Sequence, residues 1–291
     1  NRNADHKIIN KRAGGRDPDY AHQLWHYVHD DASTRWTRGG ISTVIPSDLL
    51  RVDDSIYLHA IVNRGFGNVV WTEIWRSDDS GVSWAHMGRH AKFAAALHGG
   101  HAQCWSWDFD PDDGWVYVVA TGFQRDKGII LMRVQPENIG HRSRYSSWGF
   151  THGHWGWGDT ATPITPAGEK WGELTFRRMA KGKWILGGFL ASKYALGYRV
   201  VESPVANIHT TPLQTPVLGS AWHGENHVKN QVAQLYGGYV LPGSRFDIEG
   251  GAGFVVSQWN TVEGWPYRAM QFKAALRDTT KMADPSDPIN L

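Results

Sequence analysis

The run Cys104-Trp105-Ser106-Trp107-Asp108-Phe109 leads through Asp110-Pro111-Asp112-Asp113-Gly114 into Trp115-Val116-Tyr117-Val118-Val119-Ala120, and then to Gly128-Ile129-Ile130-Leu131-Met132-Arg133. All three runs have the β-branched and aromatic content of strands. The first gap carries the Asp, Pro and Gly of a tight reversal. The segment reads as three antiparallel strands in a meander.

The same layout recurs on both sides. Ser55–Ala60 pairs with Val69–Trp75, Lys183–Gly187 with Leu196–Val200, and Gly253–Gln258 with Tyr267–Gln271. A further strand precedes each pair: Ile41–Leu50 before Asp53-Asp54, Glu173–Met179 before Lys181-Gly182, and Tyr236–Leu241 before Gly250-Gly251. Tyr57, Tyr117, Ile185 and Val255 follow one another at 60, 68 and 70 residues, and self-similarity at such a period marks a repeat architecture. Four meanders of three or four strands predict an all-β fold, a β-propeller that protects its strand edges by packing blades around an axis. Five to seven blades are commoner than four, so most of a blade is expected ahead of Asn1. Residues 1–40 read as a loop-rich remnant or connection, 41–273 as the blades and 274–291 as a tail. The stretch Ser77-Asp78-Asp79-Ser80-Gly81-Val82-Ser83-Trp84 fits the S-x-D-x-G-x-x-W Asp-box of propeller hairpins, a folding device without a catalytic role.

Composition narrows the chemistry. The 291 residues hold 30 Lys and Arg against 28 Asp and Glu, a net charge of +2. No basic stripe suits nucleic acid. No apolar run nears the roughly 18–20 residues that span a bilayer, and no leader-like segment opens the chain. The single cysteine, Cys104, excludes an internal disulfide. The 16 Trp, 33 Gly and 15 His are unusual. Indoles with a polar edge suit sugar rings, though part of that surplus must be core.

Inner strands face the axis, so function is sought there. Glycoside hydrolysis needs two carboxyl groups flanking the bond. The acids near inner strands are Asp48, Asp108, Asp159 and Glu173, each equally able to brace a blade junction. Glu173, Asp159 and Asp48 stand as catalytic candidates; Trp105, Asp108, His152, His154, Trp155, Trp157, Arg177, Tyr236, Tyr239 and Trp259 as sugar-binding ones. The densest cluster, His152-Gly153-His154-Trp155-Gly156-Trp157-Gly158-Asp159, reads as a loop at the channel mouth whose indoles stack on sugar, or as an inter-blade packing loop. Two His could be joined by Asp159 on a metal, but no third nitrogen or sulfur ligand has a convincing spacing, and no metal or cofactor is expected. The run Arg177-Arg178 with Lys181 and Lys183 reads as a solvated turn. There is no G-x-S-x-G, Walker or H-E-x-x-H motif.

Several strings resemble one family. They are Ile45-Pro46-Ser47-Asp48, Asp54-Ser55-Ile56-Tyr57-Leu58-His59, Trp75-Arg76-Ser77-Asp78-Asp79-Ser80-Gly81 and Gly172-Glu173-Leu174-Thr175-Phe176-Arg177. Gln234-Leu235-Tyr236-Gly237-Gly238-Tyr239 and Val256-Ser257-Gln258-Trp259-Asn260-Thr261, with Trp265-Pro266-Tyr267, complete the set. They are similar to the endo-D-arabinanases of glycoside hydrolase family 183, formerly a domain-of-unknown-function family of mycobacteria, their relatives and their phages. The resemblance implies a five-bladed propeller that cleaves the D-arabinan of arabinogalactan and lipoarabinomannan, at the cell envelope or as part of a phage virion. It also implies catalytic acids in an N-terminal D-L-G and G-D-T stretch. This sequence has no D-L-G, and Gly158-Asp159-Thr160 lies in mid-chain, so that role is not carried onto Asp159. The acids are expected upstream of residue 1, from a segment or chain that completes the propeller. The alternative is a non-catalytic glycan-binding propeller of a phage tail or envelope protein. A scaffold for protein partners is a third reading.

Overall fold

The computed structural model describes residues 41, 43–65, 67–241, 244, 251–259, 268–274 and 276. The expectations for 1–40, for most of 274–291, for a fifth blade and for the Asn260–Tyr267 string lie outside these residues.

Among the described residues, four sheets follow one another along the chain, arranged as the blades of a β-propeller. The first holds β1 (Thr43–Val52), β2 (Ser55–Asn63), β3 (Val69–Ser77), β4 (Ala85–His86) and β5 (Lys92–Ala94). The second holds β6 (Cys104–Asp110), β7 (Trp115–Thr121), β8 (Ile130–Val134), β9 (Ser146–Thr151) and β10 (His154–Trp157). The third holds β11 (Trp171–Ala180), β12 (Lys183–Leu190), β13 (Ala195–Val201), β14 (Gln214–Ser220) and β15 (Gln231–Ala233). The fourth holds β16 (Leu235–Val240), β17 (Ala252–Gln258) and β18 (Arg268–Ala274). All pairings are antiparallel except β14 with β15. The meander strands stand where their β-branched and aromatic content and the turn residues place them; the outer strands β4, β5, β9, β10, β14 and β15 carry no comparable signal.

The first three blades bury both faces, which is why their middle strands are buried almost without a break, whereas β17 of the fourth alternates buried and half-buried positions. On β7, Val116, Val118 and Ala120 face a core shared with the first blade, while Tyr117 and Val119 face one shared with the third. A third core joins Ile185, Phe189 and Tyr198 to Phe254 and Val256 of the fourth blade. Each fully buried Val or Phe of this kind contributes roughly 1.5–3 kcal/mol. The inner strands β1, β6, β11 and β16 are the end members of their sheets and pack against one another in sequence around the hub.

The Asp-box behaves as a turn. Asp79 accepts the Ser77 hydroxyl at 2.7 Å and the Ser83 amide at 2.9 Å, Gly81 has φ 90°, and the Trp84 indole donates to Gly81 O at 3.1 Å. The Ser83 hydroxyl, and then its amide, hold the Asp79 pKa down to about 2. Among the described residues no helix is long and apolar enough to cross a membrane.

Candidate functional site at the hub

Three inner strands break register at the hub. On β1 the shift falls between Pro46 and Asp48, on β11 between Trp171 and Leu174, and on β16 between Leu235 and Gly237. An extra residue bends a strand and re-aims its side chains. Pro46, without an amide hydrogen, is suited to such a break. The residues re-aimed are Ser47, Glu173 and Tyr236, one from each of three blades.

Mid-hub, the Arg177 guanidinium grips Asp48, with Nη2 to Oδ1 at 2.6 Å and Nη1 to Oδ2 at 2.8 Å. Nη1 also approaches the carbonyls of Trp107 at 3.0 Å and Phe176 at 2.7 Å. Asp48 Oδ2 further accepts from the Ser106 hydroxyl at 2.6 Å and the Trp107 amide at 3.1 Å. Ser106 Oγ in turn accepts the Phe176 amide at 2.9 Å. Ser47 does the same job one step up, exchanging bonds with Trp105 N and O at 2.8 and 2.9 Å. Asp108 accepts the Arg178 amide at 2.7 Å and the Phe109 amide at 2.9 Å, and burial raises its pKa. Arg178 itself is held by Asp110 at 3.1 Å and Asp112 at 2.6 Å.

These bonds stitch the first three blades together. Asp48 and Asp108 are therefore braces, and Asp48 has no oxygen left over for acid–base work. Arg177 and Arg178 are corrected from a solvated turn to the same brace, because hub carboxylates and carbonyls take up their donors.

The starts of β11 and β16 form the mouth. Arg125, in the loop after β7, donates from Nη2 to Glu173 Oε1 at 2.6 Å and to Tyr236 O at 2.9 Å. Its guanidinium lies between the Phe189 and Tyr236 rings, 4.4 Å from each centroid, a two-sided cation–π sandwich. Arg125 has a left-handed φ of 59°, a conformation costly for a side chain of its size. Gly172 makes room for the Arg125 stem. A Cβ on Gly172 would sit 2.8 Å from Arg125 Cγ, and one on Gly237 would meet Glu173 Oε2 at 3.7 Å. Trp259, 41% exposed at the end of β17, stands edge-on to Tyr236 with ring centroids 5.9 Å apart. Tyr239 keeps 38% of its surface open, yet burial and the nearby Glu173 and Asp48 carboxylates push its hydroxyl far above the phenol range. It stays a neutral donor between the brace and the mouth.

Of the sequence candidates, the structure brings Glu173, Tyr236, Tyr239 and Trp259 together, with Asp48, Asp108 and Arg177 beneath. It separates the rest. Trp105 is 1% exposed, stacked on His59 at 4.0 Å and edge-on to Phe93 at 4.8 Å, so no indole face is left for a sugar. The His152–Gly153 pair is the turn of the β9–β10 hairpin, with φ 52° and 85°, at the outer edge of the second blade. Trp155 and Trp157 share one face of that hairpin with Trp148 and Phe150 and extend the core toward the third blade. Trp157 also sandwiches Arg133 with Trp115, at 4.2 and 4.1 Å. His152, His154, Trp155, Trp157 and Asp159 are thus corrected from the channel mouth to the outer rim: strand β10 is the outermost of its sheet. Asp159, tucked against Gly149 and Gly156 of that hairpin, leaves the catalytic candidates.

Arg125 and Phe189 were missed. The hydrogen-bond partners of Arg125 lie 48 and 111 residues away along the chain, and nothing local in Gln124-Arg125-Asp126 announces them. Among the described residues, no group of three or more His, Cys, Asp or Glu could hold a metal ion.

Comparison with known proteins adds a family and a fold. The family DUF4185, described as a domain of unknown function, matches residues 1–273. An uncharacterized 35.9 kDa protein of Mycolicibacterium smegmatis, in the asd 3′ region, is 29% identical, the match covering 79% of this chain and 70% of that protein. Among solved structures, a candidate hydrolase of Bacteroides ovatus superposes with a TM-score of 0.51 at 13% identity, over 79% of this chain and 60% of the other. A GH43_12 protein from a capybara gut metagenome superposes with a TM-score of 0.50 at 14% identity, over 79% of this chain and 39% of the other. The chain spans less than two thirds of the first solved protein and well under half of the second. At such identities the likeness is one of fold.

Proposed function

The chain belongs to the DUF4185 family, and from that premise we propose that it is a glycan-directed β-propeller hydrolase, an endo-D-arabinanase of the glycoside hydrolase family 183 type. The hub mouth carries the reading. There an exposed indole, Trp259, stands beside Tyr236 and a sandwiched Arg125–Glu173 pair, apolar ring face next to polar edge, as a sugar ring requires. Two propeller neighbours are described as a candidate hydrolase and as a GH43_12 protein, and a relative comes from a mycobacterium, which supports the same direction. The substrate is D-arabinan of the mycobacterial envelope, and the protein works at the envelope or on a phage virion.

In this reading the described residues supply the sugar-binding wall. Asp48 and Asp108 are occupied as braces, so the acid and base come from outside the described residues, from an N-terminal segment or a second chain. The same saturation favours a second reading, a glycan-binding propeller without turnover. Incubation with purified mycobacterial arabinogalactan separates them. Released oligosaccharides establish the hydrolase; retention on the polymer without release leaves the binding module; neither result removes both.

A further inference from the structure

Arg125 is held as few surface arginines are. Two rings clamp its faces, its backbone is left-handed, and Gly172 leaves space for its stem. Both of its hydrogen bonds leave from one nitrogen, Nη2. Among the described residues Nε and Nη1 find no acceptor, and neither is shut away from solvent. Arg125 and Glu173 each keep a quarter of their side chains exposed, at 25%. A guanidinium has five donors in a rigid plane, so at least two directions of donation face the mouth unused.

An unpaired arginine in such a cleft would be a receptor for carboxylates or phosphates. Arg125 is not unpaired. Glu173 Oε1 sits 2.6 Å from Nη2, and the other groups that face the pair add no compensating charge. Tyr236 and Tyr239 of β16 are phenols, with the Tyr239 hydroxyl held well above its ordinary range. Burial and Glu173 push the Cys104 thiol up, so it too is neutral. Asp126 and Lys127, next along the loop, stand 3.7 Å apart and offset each other.

We propose that Glu173 is the built-in counter-ion of Arg125, so that the hub mouth donates hydrogen bonds to uncharged sugar oxygens and discriminates against anionic glycans. This deepens the reading of the hub as a glycan site and depends on it only for the identity of the sugar. Arg125 determines specificity through its free N–H groups, and Glu173 acts through Arg125.

The test uses the full chain with two probes, purified mycobacterial arabinan (neutral) and polygalacturonan (anionic), with binding measured at about 50 and 500 mM salt. Wild type is expected to bind arabinan with less than about a two-fold change across that range, since a neutral pair offers little to screen. Glu173→Gln keeps the shape and removes the charge. It is expected to gain at least about ten-fold in affinity for polygalacturonan at low salt and to lose that gain at high salt. Arg125→Met is expected to weaken arabinan binding about ten-fold or more. The double variant should show no polygalacturonan gain. Thermal unfolding midpoints near wild type exclude misfolding, and a merely structural Glu173 would not invert the charge preference.

If Glu173→Gln gains nothing for polygalacturonan, or gains equally without Arg125, the proposal is overturned. If wild type ignores arabinan while Glu173→Gln captures polygalacturonan through Arg125, the counter-ion role stands and the arabinan reading falls.

Discussion

Arg177, on the third blade, holds Asp48, on the first, with both arms of its guanidinium across the second blade's inner strand, at 2.6 and 2.8 Å. A carboxylate on an inner strand of a propeller invites a catalytic assignment. Here the bond count decides otherwise: Ser106, Trp107 and Leu49 take what Arg177 leaves. The pair is a rivet, and the proposed sugar-binding wall lies one level higher, where β11 and β16 begin.

Arg177→Met should therefore cost stability. Breaking a buried ion pair by removing one partner costs roughly 3–5 kcal/mol, discounted here to about 2–4 because a quarter of the Arg177 side chain meets solvent. Asp48→Asn should cost a similar amount, about 2–4 kcal/mol, because it strips Arg177 of its counter-charge and turns one accepting oxygen into an NH2 that faces N–H donors. The double variant should recover part of the sum. Urea unfolding gives all three values. Glycan affinity per folded molecule should stay at the wild-type level, and a selective loss of affinity in Asp48→Asn at unchanged stability would return Asp48 to the site.

Gly172 and Gly237 make a matched pair of probes. The Cβ of Gly172→Ala would press within 2.8 Å of Arg125 Cγ, close to the backbone, where the stem has little room to swing. That of Gly237→Ala would meet Glu173 at an ordinary 3.7 Å. Gly172→Ala is expected to lower glycan affinity about ten-fold by displacing the guanidinium from its two rings. Gly237→Ala should bind as wild type does. Equal affinities in the two variants would mean that the position of Arg125 does not matter to the ligand.

The blades were legible because their cause is local. Strands such as Trp115–Thr121 and Ala252–Gln258 are set by β-branched residues, and the reversals between them by Asp, Pro and Gly. Trp105 shows where this stops. Its strand position correctly predicts nearness to the axis, but which way an inner-strand side chain points depends on the neighbouring blade, and His59 fills the space over its face. The β9–β10 hairpin was misplaced for a related reason. A His-Gly pair with two positive φ angles makes a two-residue turn that Asn-Gly would have announced, and glycines beside indoles resemble a loop as much as two short strands. Glu173 and Tyr236 sit at register breaks that strand periodicity cannot show, and Arg125 reaches them from another blade.

His59 predicts how the fold responds to acid. Its ring is fully buried against Trp105, and both ring nitrogens lack hydrogen-bond partners among the described residues. Burial lowers its pKa from 6.5 to about 3, against a smaller opposing effect of Glu73. The unfolded chain thus binds a proton between pH 6.5 and about 3 that the folded chain refuses. Stability from this group is complete above pH 6.5 and is lost as pH falls, by about 1.4 kcal/mol per unit. Going from pH 6.5 to 5 should remove about 2 kcal/mol, read from urea midpoints. His59→Phe keeps a planar ring on Trp105 and should flatten that slope; an unchanged slope would show that His59 is protonated in the folded protein.

Trp155 and Trp259 should exchange roles under substitution. Trp155 stacks with Trp148 at an interplanar angle of 13° and leans on Phe150, all on the outer rim of the second blade. Trp155→Ala should therefore cost about 1–3 kcal/mol of stability through lost packing and leave glycan affinity untouched. Trp259 stands exposed beside Tyr236 at the hub mouth, where its removal disturbs little core. Trp259→Ala should leave the unfolding midpoint within about 0.5 kcal/mol and weaken binding by about 0.5–1.5 kcal/mol, some two- to ten-fold. Calorimetry with arabinan oligosaccharides and urea unfolding on the same two variants give the four numbers. The reverse pattern, with affinity lost at Trp155 and kept at Trp259, would move the sugar site from the hub to the rim.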